Sequence, residues 1–145
     1  MSYTKIWIHC VWTTKNRIPI LKNDLREIVF AHIKENALEK NIFIDCINGY
    51  EEHVHCLICL KREQSIADCL QLIKGESSYW INKNKLIDQK FEWQDDYFAV
   101  SVSESQIQVL RNYIKNQYEH HKKKSFTEEY DEFVRNYGFN LSRNG

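Results

Sequence analysis

Hydrophobic and polar positions along the chain switch between a two-residue and a helical period, and the switches mark its elements. Lys5 to Thr14 sets Ile6, Ile8, Cys10 and Trp12 against Trp7, His9 and Val11, which predicts a strand covered on both faces. After a loop holding the only proline, Pro19, the apolar residues Leu25, Ile28, Val29, Ile33 and Ala37 recur at helical spacing. Asn23 or Asp24 can cap that helix, which should run to about Lys40. Asn41 to Tyr50 predicts a second strand, with Ile42, Ile44 and Cys46 opposed to Phe43 and Ile47. Few residues separate it from a third strand, His53 to Leu60, so the two should form an antiparallel hairpin.

Ser65 with Asp68 opens a helix whose apolar face is Ile66, Cys69, Leu70, Ile73, Ser77 and Trp80, with Gly75 as a weak point inside it. Asn82 to Asp96 reads as a loop and Tyr97 to Val102 as a fourth strand. Ser103 and Gln106 fit a capping box for a helix of Ile107, Leu110 and Ile114 that ends in Lys122, Lys123 and Lys124. Ser125 and Glu128 then open a last helix, closed by Gly138. The order βαββαβαα, without repeat or linker, predicts one α+β domain over residues 1–145. Its antiparallel sheet should be ferredoxin-like (RRM-like), with helices packed on it.

Composition narrows the classes. The chain has 145 residues, 43% apolar and 28% charged, which is ordinary for a globular protein with a real core. No apolar run approaches the roughly 20 residues of a membrane span, and Met1 to His9 lacks a signal-peptide pattern, so a cytoplasmic protein is expected. Twenty basic and twenty acidic residues cancel, so a nucleic-acid partner must rest on local patches. The patches are Lys15 with Arg17, then Lys83, Lys85 and Lys90, and His120 to Lys124; each can also be a solvated face. Five scattered cysteines suit a reducing compartment. Cys56 and Cys59, three apart in a strand, should point to opposite faces and serve packing, not redox or zinc chemistry.

The chemistry begins with "EEHVHCLICL". In a strand, His53 and His55 share a face at roughly 7 Å, close enough to converge on one ion, while Val54, Cys56, Ile58 and Leu60 face a core. Two histidines each satisfied by a hydrogen bond remain the alternative. Glu51 and Glu52 read as solvated hairpin residues. On the helix after the fourth strand, Tyr113 and Gln117 are four apart and so share a face, offering a potential nucleophile and a hard oxygen ligand. Trp93 and Tyr97 could stack on unpaired bases, but core or loop packing is the expectation.

Together, "HCVWTTKNRIPIL", "EEHVHCLICL", "LIKGESSYWIN", "WQDDYFAVSVSE" and "YIKNQYEHHKKKSFTEEY" resemble the single-tyrosine transposases of the smallest bacterial insertion sequences. These IS200-like enzymes belong to the HUH endonuclease superfamily, and the resemblance spans residues 5–137. It implies His53, His55 and Gln117 as ligands of Mg²⁺ or Mn²⁺, and Tyr113, on the C-terminal helices, as the nucleophile. It implies cleavage and rejoining of single-stranded DNA beside a hairpin at the element's ends, through a 5′-phosphotyrosine link and without a nucleotide cofactor. It further implies a homodimer whose subunits can share an active site, and activity at the nucleoid. Lys15, Arg17, His121 and Lys122 are the candidate DNA contacts. A non-catalytic or domesticated single-strand-binding module on the same fold is the alternative from another class. A replication initiator or relaxase of the superfamily is a further one, though such enzymes usually have larger chains and more tyrosines or histidines at the site.

Overall fold

The structure, a computed structural model, describes residues 1–117 and 124–136. Their order is β1 (Ile6–Thr13), α1 (Asn23–Glu39), β2 (Phe43–Gly49), β3 (His53–Leu60), α2 (Ile66–Lys83), β4 (Phe98–Val102), α3 (Ile107–Lys115) and α4 (Phe126–Asn136). The strands form one sheet in the order β2-β3-β1-β4, antiparallel at every junction. This is the expected α+β, ferredoxin-like arrangement: the two long helical crossings place β1 and β3 side by side in the centre.

The central strands are buried on both faces, which explains their near-continuous apolar runs. Cys10, Trp12, Val54, Cys56, Ile58 and Leu60 meet α1 and α2 in the main core. On the other face Trp7 and Leu57 meet Ile107 and Ile114 of α3, and Val11, Phe98 and Val100 meet Phe126 and Val134 of α4. Cys56 lies in the main core and Cys59 on the opposite face, so their spacing serves packing, as expected. All five cysteines are free.

Several expectations need correction. In β2 the register shifts at Asp45: Ile44 pairs with Ile58, but Cys46 already pairs with Leu57. A bulge of this kind reverses the alternation beyond it, so Ile47 joins Ile42 and Ile44 against the helices, and Cys46 turns to α3. In α1, Ile28 is exposed and Phe30 takes the buried place, while the N-cap is Lys22, without a side-chain bond. Ser103 and Gln106 form no capping box: a 3₁₀ turn, Glu104–Gln106, intervenes, and Gln106 is itself the cap of α3. The helix α3 ends at Lys115 with a turn at Asn116, and Lys122 and Lys123, where its end is expected, lie outside the described residues. The 82–96 stretch is loop only after Lys83 and buries Phe91 and Trp93. Trp93, by contrast, packs as expected, donating to Ser77 Oγ at 2.9 Å.

Other local signals hold. Ser65 Oγ accepts from the Asp68 amide, and Ser125 Oγ from the Glu128 amide, as the capping patterns require. Gly138, His120, His121, Lys122 and Lys123 lie outside the described residues. No helix among the described residues is long and apolar enough to cross a membrane.

Candidate active site

The pleat puts His53 and His55 on the α3/α4 face of β3, and two neighbours fix where that strand ends. A Cβ on Gly49 would lie 2.1 Å from the carbonyl oxygen of His53, so only glycine allows β2 to pass this close. The Tyr50 amide donates to the same carbonyl at 3.1 Å. Both histidine side chains are fully buried, on a strand held on both sides.

The helix α3 is pinned to β2 by polar contacts. The bulge at Asp45 presents its carboxylate to Arg111, which donates from Nε at 2.8 Å and Nη2 at 2.9 Å. This fork-to-fork geometry fixes orientation as well as distance. Three residues along, Asn48 Nδ2 donates to the carbonyls of Ile114 and Lys115 at 3.0 and 3.1 Å, satisfying acceptors that the helix end leaves open. Tyr113 and Gln117 are thereby delivered to the histidines.

Gln117 Oε1 lies 3.1 Å from His53 Nε2, and its Nε2 donates to the Tyr113 carbonyl at 3.3 Å. Tyr113 reaches the pair through a residue that the sequence reading missed. Its hydroxyl donates to Glu129 Oε2, and Glu129 Oε1 lies 2.9 Å from His55 Nε2 and 3.9 Å from His53 Nε2. Glu129 is buried on α4. Its only sequence signal was a position inside "SFTEEY", one turn past the cap, on the same helical face as Phe126 and Phe133.

Outer contacts turn both imidazoles the same way. Glu52 Oε1 lies 2.6 Å from His53 Nδ1, which replaces the solvated role expected of Glu52. His55 Nδ1 lies 3.0 Å from Nε2 of His9, a buried residue of β1. Both Nε2 atoms therefore face Gln117 and Glu129.

The electrostatics follow from burial and from these contacts. Burial, the Glu129 hydrogen bond and the Glu129 charge push the Tyr113 hydroxyl well above the ordinary phenol range. Burial alone would raise the Glu129 carboxyl, but hydrogen bonding and charge from His55, with Tyr113 and His53, hold it down to about 2. Burial, with His55 next, lowers His9 to about 3.

Ligating atoms of His53, His55 and Glu129 lie within 4.8 Å of one another. Adjacent ligands of an octahedral ion with bonds of about 2.1 Å are about 3 Å apart. The 2.9 Å from His55 to Glu129 and 3.1 Å from His53 to Gln117 match that spacing. Two imidazoles, a carboxylate and an amide oxygen fit a divalent cation.

A phenol, a histidine pair, an amide and a carboxylate thus converge within one chain, and likeness to other proteins places the chain in a family. The model for "Transposase IS200 like" matches residues 2–117. The chain belongs to the IS200-like transposase family. The ISDra2 transposase TnpA of Deinococcus radiodurans is 24% identical over 117 residues, covering 77% of this chain and 83% of the relative. A putative transposase from Deinococcus radiodurans R1 shares the fold with a TM-score of 0.65 and 21% identity, over 80% of this chain and 93% of that one. A REP-associated tyrosine transposase bound to a REP hairpin does so with a TM-score of 0.57 and 15% identity, over 87% and 73%. In this IS200-like transposase, α4 and its Glu129 lie C-terminal to the matched residues.

The candidate DNA contacts are placed as follows. Lys15 is exposed and pairs with Glu92 at 2.9 Å. Arg17 donates to Thr127 Oγ1 at 3.0 Å and lies over the rings of Phe126 and Tyr130 at 5.2 and 5.4 Å. His121 and Lys122 fall outside the described residues.

Proposed function

We propose that this transposase cuts and rejoins single-stranded DNA by transesterification, with Tyr113 as nucleophile and His53, His55 and Gln117 as ligands of Mg²⁺ or Mn²⁺. Glu129 stands beside them as a further oxygen donor. The observation that carries the reading is the convergence of a phenol, two imidazole Nε2 atoms, an amide oxygen and a carboxylate in one buried cluster.

In the cleavage step the phenol oxygen forms a bond to phosphorus as the bond from phosphorus to the 3′-oxygen breaks. The phenol proton leaves through Glu129, which already accepts it in a hydrogen bond, and the 3′-oxygen departs as a hydroxyl protonated by solvent. Rejoining is the reverse, so phosphodiester energy is kept in the tyrosine ester and no nucleotide is consumed. The bound cation supplies charge stabilisation at the scissile phosphate. A cation held by His53, His55 and Gln117 would also oppose the upward pull of burial on Tyr113.

Helix α4 seals the histidines in the arrangement described here, so strand entry requires it to swing aside. Arg17 lies against α4, and it and Lys15 contact phosphates of the incoming strand. The REP hairpin of the structural neighbour supports a hairpin next to the cleavage point as the recognised feature, and the family supports a homodimer acting on DNA in the cytoplasm.

The test is to incubate metal-stripped protein with labelled single-stranded DNA from the flanks of its gene and add back Mn²⁺ or Mg²⁺. Metal-dependent cleavage that leaves a free 3′-hydroxyl, lost in Tyr113→Phe while binding survives, is the expected result. Binding without cleavage would favour the non-catalytic module, and cleavage unaffected by Tyr113→Phe would sink the mechanism.

A further inference from the structure

We propose that His9 is a positioning residue of the metal site, holding His55 with Nε2 forward by accepting a hydrogen bond from its Nδ1. The inference rests on the metal reading above and deepens it.

An imidazole that gives its Nε2 lone pair to a cation carries its proton on Nδ1, where it can only donate. Metal-binding histidines almost always give that proton to a carboxylate, a carbonyl or water, and losing such a partner weakens the site. For His53 the acceptor is Glu52 Oε1 at 2.6 Å. For His55 the atom in the same place is His9 Nε2 at 3.0 Å.

The two rings are nearly parallel, 18° apart, with centroids 5.2 Å apart. That separation is too wide for face-to-face contact and fits rings lying side by side that share a hydrogen bond. Strand register builds the arrangement. Val11 stands opposite His55 and His9 opposite Leu57, so His9 is the diagonal neighbour of His55 on the same sheet face. Phe98 of β4 and Phe133 of α4 stand edge-on to the His9 ring and hold its plane.

To accept from His55, His9 must be neutral and carry its own proton on Nδ1. The ring borders a cavity of about 390 Å³ between β4, α3 and α4, also lined by Ser101 and Tyr113. His9 is not a ligand in this reading, because its Nε2 is engaged by His55. It serves as a neutral counterpart of Glu52, orienting the second histidine without adding a charge to the site.

The test compares metal-stripped wild type, His9→Phe and His9→Gln by Mn²⁺ titration read by electron paramagnetic resonance. Circular dichroism checks that each is folded. Wild type should bind. Phenylalanine keeps the ring but has no acceptor, and should weaken binding about 10- to 100-fold. Glutamine puts an amide oxygen close to the place of Nε2 and should stay within a few-fold of wild type. Wild-type binding with His9→Phe unchanged, or with both variants weakened equally, overturns the role of His9 while leaving the metal site standing. No binding by wild type overturns the metal reading and this inference with it.

Long-range ¹H–¹⁵N spectra of the Mg²⁺-loaded wild type provide a readout that needs no variant. His9 as the Nδ1–H tautomer supports the role, and the Nε2–H tautomer overturns it.

Discussion

At the scale of single residues, the site depends on atoms that do no chemistry. Gly49 is the clearest case, because any side chain there meets the backbone of His53, which cannot rotate away. Gly49→Ala should cost about 1–3 kcal/mol, the range for overpacking, read as a lower urea midpoint. Its Mn²⁺ affinity should fall as well, because the displaced atom belongs to a ligand residue. Glu129 gives a second test, at acid pH. Its carboxyl lies below its ordinary 4.5 at about 2, so the folded state holds its proton less tightly than the unfolded chain does. The stability this supplies is complete above pH 4.5 and is lost as pH falls towards 2. In metal-free protein, acid titration of unfolding should show this loss, and Glu129→Gln should lack that component.

At the scale of elements, catalysis depends on how α3 is tied to β2. Asn48→Ala removes two hydrogen bonds to the last carbonyls of α3, a loss of about 1–2 kcal/mol. It should lower the cleavage rate more than DNA affinity, because it shifts Tyr113 and Gln117 relative to the histidines. Single-turnover cleavage against filter binding separates the two. Arg17 tests the role of α4. Because it staples α4 through Thr127, Phe126 and Tyr130, Arg17→Ala should speed amide exchange over 126–136. Because Arg17 is also proposed to contact phosphate on the incoming strand, DNA affinity should fall as well and the salt slope should flatten by about 0.7.

The sequence carried much of this scale, for identifiable reasons. Burial on both faces leaves β1 and β3 as near-continuous apolar runs in the sequence, and the strand pleat then puts His53 and His55, two apart in such a run, on one face. The bulge at Asp45 left no such trace, because it changes the phase of β2 without changing its composition. The turn at Asn116 was hidden because Asn116 sits in a continuous helical pattern, and the Asn48 contacts that meet the end of α3 come from a distant strand. Glu129 and His9 were illegible as site residues for the same reason. One is brought in by the packing of α4 and the other by diagonal strand register, and neither leaves a local pattern.

At the scale of the whole molecule, equal numbers of acidic and basic residues mean that DNA affinity rests on local contacts rather than on a general field. The salt dependence of single-strand binding should therefore be modest, a log–log slope of about −0.7 for each phosphate neutralised. The slope counts the phosphate contacts, for which Lys15 and Arg17 are the candidates among the described residues.

The central claim is that Tyr113 becomes covalently joined to DNA, and peptide mapping of the trapped adduct tests it most directly. With Mn²⁺ and a single-stranded substrate, digestion and mass spectrometry should find the nucleotide mass on the peptide containing Tyr113, and nowhere in the Tyr113→Phe protein. An adduct on any other residue, or cleavage that proceeds with no adduct, would contradict the account.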